Sequence, residues 1–92
     1  MLSWLFGGTS ECKLILEPDT SARSLPGFRS GEPLQLIGNK GDTVGMILDR
    51  FNTYRAPDSQ IKNVWKSDGT PLGLSTPVNG IVVATVKASS AV

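Results

Sequence analysis

One amphipathic helix among strand-like segments constrains the fold of this chain more than any other feature. Its apolar positions follow the spacing i, i+3, i+4, i+7 and are Val44, Ile47, Leu48 and Phe51. Asp42 is the predicted N-cap, because its carboxylate can accept a hydrogen bond from an unpaired N–H group of the first turn. Pro57 is predicted to end the helix, because proline disfavours helical dihedral angles in the residue before it. Since the sequence has no second helix of comparable strength, the fold must be a sheet that wraps around this one.

The segments around the helix have the composition and alternation of β-strands. The predicted strands are 11–17, 34–38, 61–66, 70–74 and 81–86. Pro71 confines the fourth strand to a sheet edge, and Asp68-Gly69 before it is typical of a hairpin turn. The first and last strands are the most apolar, so we expect them to be parallel neighbours in the centre of a mixed sheet. The sequence therefore predicts an α+β fold, with a mixed sheet of roughly four or five strands and one helix packed across it.

The strand at 61–66 determines where the second tryptophan of the chain lies. Strict alternation places Ile61 and Trp65 on one face of this strand and Val64 on the other. We therefore predict that Trp65 packs in the core rather than forming part of a binding surface.

The size and charge of the chain bound its organisation and its partners. With 92 residues it forms a single domain. We divide it into an apolar N-terminal arm at 1–10, a domain at 11–87 and a flexible tail at 88–92. The net charge of +1 produces no long-range field that would attract a polyanion, so nucleic acid is not expected as a partner.

The absence of histidine and the single cysteine exclude several kinds of chemistry. No Ser-His or Cys-His pair can be assembled, and zinc lacks its usual ligands. The aspartates at a predicted cap, helix surface, loop and turn are Asp42, Asp49, Asp58 and Asp68. Each of these positions has a structural explanation, so we predict no acid–base pair, no enzymatic activity, no metal and no cofactor. Cys12 is predicted to be a small buried residue, and one thiol fits the cytoplasm or another reducing compartment.

An apolar stretch precedes a Gly-Gly pair at the start of the sequence. Its large side chains are Leu2, Trp4, Leu5 and Phe6. The stretch is too short to span a membrane, and we interpret it as an arm that packs on the domain or on a partner chain. Insertion into a membrane interface is the alternative, with no basic cluster beside it. A second functional hypothesis follows, in which a small structural or assembly protein, viral or membrane-peripheral, anchors itself through residues 1–8.

The loop at 18–33 is longer than a tight hairpin needs, and long loops are frequently functional. Leu25 and Phe28 are expected to anchor it. Basic residues in this loop and in the third strand complete a candidate surface for another protein. The candidate partner-binding residues are Arg23, Phe28, Arg29, Lys62 and Lys66.

The middle of the chain resembles ubiquitin-like domains over the run GDTVGMILDRFNTYRAPDSQIKNVWKSDGTPL. Asp42-Thr43-Val44 stands where a similar step caps the helix in that family, and residues 57–60 stand where Pro-Asp-x-Gln leads into the third strand. The resemblance implies the β-grasp fold and a protein–protein interaction module. Such a module would dock its partner through the sheet face opposite the helix and through the 18–33 loop. The sequence ends without the Gly-Gly of the conjugated members, so conjugation to lysine is not expected.

Two shorter resemblances give alternative binding hypotheses. The turn at 38–41, Gly-Asn-Lys-Gly, is similar to the GxxG loop of KH domains, which joins two helices and clamps single-stranded RNA. In that hypothesis Lys40 would face a phosphate. Ser90-Ala91-Val92 matches the carboxy-terminal pattern that PDZ domains bind by strand addition.

Overall fold

The computed structural model describes residues 11–25, 27–28 and 30–88, which form a small α+β domain. The strands are β1 (Glu11–Pro18), β2 (Leu34–Asn39), β3 (Val64–Trp65), β4 (Pro71–Leu72) and β5 (Ile81–Val86). The helix α1 is Val44–Asn52, and two short 3-10 helices are Thr20–Ser24 and Pro57–Ser59. None of the described helices is long and apolar enough to cross a membrane.

The strands form one five-stranded mixed sheet in the order β2-β1-β5-β3-β4. β1 and β5 are parallel, and Leu14 lies opposite Val82. All the other pairs are antiparallel, with Leu36 opposite Leu14 on the far side of β1. The predicted parallel pairing of the two most apolar strands is therefore confirmed.

The core lies between α1 and one face of the sheet. On the helix, Val44, Ile47 and Leu48 are buried, and Phe51 packs against them. On the sheet, the inward residues of the central strands are Cys12, Leu14, Leu16, Ala84 and Val86, all buried. The predicted apolar stripe of the helix is confirmed, since all four of its members contribute to this core.

The helix begins one residue later than the sequence predicts. Thr43, not Asp42, is the N-cap, and its hydroxyl accepts a hydrogen bond from the N–H of Met46 at 3.3 Å. The two amides of the first turn that precede Met46 are bound by a distant segment of the chain. The N–H of Val44 donates to the carbonyl of Thr76 at 3.0 Å, and the N–H of Gly45 donates to that of Leu74 at 2.8 Å. Segment 74–78 thus satisfies donors that a helix start otherwise leaves to water.

Asp42 joins three parts of the chain instead of capping the helix. Its carboxylate accepts the N–H of Asn39 at 2.8 Å and pairs with the guanidinium of Arg50 on α1. Its backbone carbonyl accepts the N–H of Val78 at 2.9 Å. The residue is only 6% exposed, so its two charge-assisted bonds compensate the cost of burying it.

The helix ends at Asn52, five residues before Pro57, so proline does not terminate it. The side-chain amide of Asn52 donates to the carbonyl of Ile61 and accepts its N–H, both at 2.8 Å. This pair of bonds draws the chain back across the end of the helix. Pro57 instead opens a 3-10 helix in the connection.

The two hydrogen bonds between Asn52 and Ile61 also explain why the predicted alternation at 61–66 is wrong. Only Val64–Trp65 is a strand, and Ile61 and Val64 are both buried. The two hydrogen bonds from Asn52 hold Ile61 outside the hydrogen-bonded ladder of the sheet. The side chain of Ile61 therefore enters the core and does not follow the two-residue alternation of a strand. Trp65 consequently lies on the opposite face and is half-buried rather than in the core.

The 18–33 loop is more ordered in its first half than its composition indicates. Asp19 caps a 3-10 helix at Thr20–Ser24 by accepting the N–H of Ala22 at 3.0 Å. The buried residues Ala22, Leu25 and Phe28 then attach the loop to the core. The prediction that Leu25 and Phe28 anchor the loop is therefore confirmed.

Neutralising Asp42 should weaken the fold and change its acid stability. The N–H of Asn39 and then Arg50 hold the pKa of Asp42 below the ordinary aspartate value of about 3.9. A carboxylate with a lowered folded pKa stabilises the fold above the unfolded pKa, and this contribution is lost as the pH falls through the folded pKa. We expect Asp42→Asn to lower the free energy of unfolding at pH about 7 and to flatten its fall below pH about 4.

Urea denaturation across a pH series measures this effect. Asp68 also has a lowered pKa, chiefly because the N–H of Thr70 donates to it, so Asp68→Asn serves as the matched control. In that control Asp42 is unchanged, so its contribution to the loss of stability at low pH should remain. An Asp42→Asn curve that runs parallel to the wild-type curve at all pH values would contradict the prediction.

A methyl group at Gly38 should destabilise the contact between β2 and the helix. A Cβ at this position would lie 2.7 Å from Cδ1 of Ile47 and 2.9 Å from Sγ of Cys12. We expect Gly38→Ala to lower the free energy of unfolding by about 1–3 kcal/mol, as overpacking of cores does. Gly73→Ala is the control, since its Cβ would meet nothing closer than 3.4 Å.

A double-mutant cycle with Ile47→Val tests the cause of that loss. Removing Cδ1 of Ile47 relieves one of the two clashes, so the combined variant should be more stable than the sum of the two single effects. Strictly additive effects would show that the clash with Ile47 is not the cause.

Candidate protein-binding surface

The sheet has a second face that no described element covers, which we call the open sheet face. Strand alternation and register place every second residue of the sheet there, away from α1. Its members on the longer strands are Glu11, Lys13, Ile15, Glu17, Gln35, Ile37, Asn39, Ile81, Val83 and Thr85. Trp65 joins them, because it pairs with Thr85 across β3 and β5.

Four apolar side chains form the centre of this face, and we call them the apolar patch: Ile15, Ile37, Ile81 and Val83. Ile37 is 53% exposed, Ile81 65% and Val83 44%. The register places Ile37 and Ile81 on either side of Lys13, and Val83 directly beside Ile15. Three neighbouring strands thus present β-branched side chains to solvent.

The rim of the patch is aromatic and charged. The ammonium of Lys87 lies 4.9 Å from the ring centroid of Trp65, which is a cation–π distance. On β1, Lys13 lies between Ile37 and Ile81 within the patch, and Glu17 follows Ile15 on the same face. The described charges on this face are of both signs, so no single sign dominates its electrostatic potential.

A groove on the helix side is another candidate site in the described chain. It has a volume of about 370 Å³ and lies between α1, the segment 60–62 and Leu74. Its lining residues are Gly45, Leu48, Asp49, Asn52, Thr53, Gln60, Ile61, Lys62 and Leu74. The amides of Asn52 and Gln60 bind backbone groups of the protein itself. The groove therefore aims no unpaired amide at a ligand, and we regard the open sheet face as the stronger candidate.

The structure separates the binding residues that the sequence suggests. Arg23 is exposed on the first 3-10 helix, where its guanidinium lies beside Gly31. Lys62 borders the groove, and Lys66 is exposed at the β3–β4 hairpin. These three cations lie on three different segments of the described chain. They stay individual predictions rather than parts of one site.

Phe28 requires a correction as a candidate binding residue. Its relative exposure is 0% because it packs in the core beneath the loop, so its side chain cannot contact a partner. Arg29 lies outside the described residues. So does the predicted arm: Leu2, Trp4, Leu5 and Phe6.

The turn at 38–41 has a different setting from a KH loop. It follows strand β2 and precedes α1, whereas a GxxG loop joins two helices. Gly38 is buried under Ile47, and Asn39 contributes its N–H to Asp42. The turn thus serves the β2–α1 junction, and the setting that a phosphate clamp needs is missing there.

Within residues 11–88, as far as they are described, no group of three or more metal-ligating side chains comes together. Cys12 is a buried free thiol, whose sulfur lies 3.4 Å from the carbonyl oxygen of Asn39. Its burial confirms the prediction that it acts as a small core residue. Comparisons of the chain with protein-family models, curated proteins and solved structures found no match.

The open sheet face should be dispensable for folding, and one strand allows a matched test. Val83 lies on the open face, and Val86, on the same strand, is fully buried. We expect Val83→Thr to change the free energy of unfolding by no more than about 0.5 kcal/mol. Val86→Thr should lower it by about 1–3 kcal/mol, because its hydroxyl enters the core without a partner.

Chemical denaturation of both variants measures the difference. The same chemical change is made in the same strand, so strand propensity cancels in the comparison. Equal losses in the two variants would show that the open face is part of the folding core and would remove it as a candidate surface.

Proposed function

We propose that this protein is a non-enzymatic protein–protein interaction module of ubiquitin-like, β-grasp type. The strand order β2-β1-β5-β3-β4 supports this proposal, since a central parallel pair with one helix across one face is the β-grasp arrangement. The fold alone does not imply the function. The function is argued from the open sheet face.

The observation that carries the proposal is the apolar patch. Isolated exposed apolar residues are ordinary, but a contiguous group rimmed by polar residues is typical of an interaction site. Ile37, Ile81 and Val83 are half of the large apolar residues that the described chain exposes, and register brings all three to one face. A partner would bury them without any change in the fold.

The size and charge of the patch indicate the kind of partner. Its residues span three strands spaced about 4.8 Å apart, so it can form only the centre of a small interface. Lys13 within the patch, and Glu17 and Lys87 at its edge, give this surface charges of both signs. We therefore infer that the partner is a folded protein or peptide with an apolar centre and a mixed polar rim. Binding should be transient rather than permanent, because interfaces of this size are typically weak.

A site-specific photo-crosslinker tests the proposal. The crosslinking amino acid is placed at Gln35, beside the patch, in one variant and at Asp49, on the exposed surface of α1, in another. We expect the first to capture a defined partner from the source cells and the second not to do so. An excess of unlabelled wild-type protein should abolish the capture, since a specific site saturates.

Charge substitutions in the patch then measure its contribution. Val83→Asp should weaken binding of the captured, purified partner by at least about tenfold, because a carboxylate would be desolvated in the interface. Met46→Asp is the matched control, since Met46 is 47% exposed on α1. Asp49→Lys reverses a charge on the same helix. Circular dichroism confirms that each variant is folded.

The result that would defeat the proposal is equally specific. If Met46→Asp or Asp49→Lys weakened binding while Val83→Asp did not, the open sheet face would not be the docking surface. Calorimetric titration of the purified pair distinguishes the two outcomes.

A further inference from the structure

The sheet has two edge strands, and they differ in how well their outer edges are protected against further pairing. β4 is one edge strand, with only two residues, one of which is Pro71. A short strand and a proline both prevent another strand from pairing there. β2 is the other edge strand, with six residues, none of them charged and none a proline. The sheet therefore presents one regular, uncharged edge to which a further strand can pair.

The hydrogen bonds of β1 show which main-chain groups of β2 point outwards. The N–H of Lys13 donates at 2.8 Å to the residue that precedes β5. Because main-chain groups alternate along a strand, the next residue, Leu14, faces β2 and pairs there with Leu36. The same alternation along β2 turns the N–H and C=O groups of Gln35 and Ile37 outwards. Within the described part of the chain, no residue bonds to these four groups.

This free stretch of β2 is bounded at both ends by positions that lack a donor. Pro33 precedes the strand and has no N–H group. At the other end, the N–H of Asn39 is already bonded to the carboxylate of Asp42. The outer edge of β2 thus offers two donors and two acceptors, those of Gln35 and Ile37.

From this pattern we infer that two copies of the chain join through β2, antiparallel to each other, about a two-fold axis at Leu36. Gln35 of each copy then lies opposite Ile37 of the other, and each such pair exchanges two N–H···O=C bonds. The four bonds use all the free outer groups of both strands. A shift of the pairing by two residues would place Ile37 opposite Pro33, or Gln35 opposite Asn39, where a donor is missing.

The charges that flank β2 favour a second copy in this orientation. Glu32 stands four residues before Leu36, Lys40 stands four residues after it, and both are exposed. Antiparallel pairing about Leu36 brings Glu32 of each copy to the end of the strand where Lys40 of the other lies. Parallel pairing would bring like charges together, which is unfavourable. The strand is therefore complementary to itself in charge as well as in hydrogen bonds, whether or not the open sheet face binds a partner.

The side chain at the centre of the edge fits the same arrangement. Leu36 is half-buried and packs against the core on the helix side. Across the two-fold axis the two Leu36 residues would form a non-hydrogen-bonded pair, with Cβ atoms about 4.5–5.5 Å apart. Each would complete the burial of the other. Because the contact is confined to one strand, the association should be weak.

Sedimentation equilibrium of the full chain tests the pairing. We expect the wild type to form dimers as its concentration rises from about 10 µM to about 1 mM. Ile37→Pro removes an outward N–H without breaking the ladder to β1, so it deletes two of the four bonds and should weaken the dimer at least about tenfold. Ile37→Thr is the matched control, because it changes the same side chain but keeps the N–H. Urea denaturation confirms that both variants are folded.

Cysteine crosslinking tests the register without a proline. Leu36→Cys places two thiols opposite each other across the axis, with Cα atoms about 4.5 Å apart, within the range of a disulfide. In Gln35→Cys the two thiols are also offset by about 7 Å along the strands, which is outside that range. We expect mild oxidation to give a covalent dimer from the first variant only. The wild type is the blank, since its single thiol, Cys12, is buried.

Charge reversal separates the two-fold pair from any other association. Glu32→Lys and Lys40→Glu each bring like charges together and should weaken self-association roughly threefold at low salt. An equal mixture of the two variants restores opposite charges at both ends of the paired strands. The mixture should therefore recover the affinity of the wild type.

Each outcome decides the inference. A chain that stays monomeric up to about 1 mM overturns it, and so does a dimer that Ile37→Pro leaves intact or that crosslinks through Gln35→Cys but not through Leu36→Cys. A monomeric chain whose β2 pairs with an extended segment of a different protein overturns the second copy as the occupant. If Ile37→Pro does not fold, the crosslinks and the charge reversals decide. These measurements involve no partner, so their failure and a failure of partner capture are distinguishable.

Discussion

The start of α1 is the junction on which the rest of the structure depends. The carboxylate of Asp42 binds the end of β2 and the guanidinium of Arg50, while its backbone carbonyl binds Val78. The carbonyl groups of Leu74 and Thr76 accept the first amides of the helix. One short region thus fixes the angle between helix and sheet, and it joins segments that are more than thirty residues apart in the sequence. Without these bonds the helix would be only about two and a half turns of marginally stable structure.

The dimensions of that single helix explain the open sheet face. α1 has nine residues, so it is about 13 Å long and covers only one side of the sheet. The inward residues of β1 and β5 are buried in the core that α1 helps to form, and the outward residues receive no such cover. An antiparallel or mixed sheet can leave this second face to water when its residues are polar. Here the face carries isoleucine and valine, and this departure from ordinary composition supports the proposed binding surface.

Local patterns in the sequence predict the elements well, and long-range contacts decide what they miss. The 3.6-residue period identifies the stripe at Val44, Ile47 and Leu48, and uniform apolarity identifies the central strands, because both signals reside in neighbouring residues. The shift of the N-cap from Asp42 to Thr43 arises from Arg50 and Asn39, which bind the aspartate for another purpose. Both residues are good caps, so the sequence alone cannot rank them.

The position of Trp65 shows the same limit in the candidate site. Alternation from Ile61 would put Trp65 in the core, but the amide of Asn52 holds Ile61 out of the strand register. The tryptophan is thereby turned to the open face. In contrast, Ile37, Ile81 and Val83 alternate with buried residues inside correctly predicted strands, so their common side was readable in principle. The strand pattern does not indicate which of the two faces of the sheet the helix covers.

The two faces of the sheet contribute differently to folding and to the proposed binding. A contact that forms the core must be permanent, because the protein unfolds without it. A contact on the open face is free of that requirement, since the helix side already supplies the buried core. The same β-branched residues can then be covered or left exposed while the fold persists. Under the proposed function, a partner would bind this face without a conformational change in the sheet. A one-sided core therefore allows this small domain to expose an apolar sheet face without making its stability depend on what covers that face.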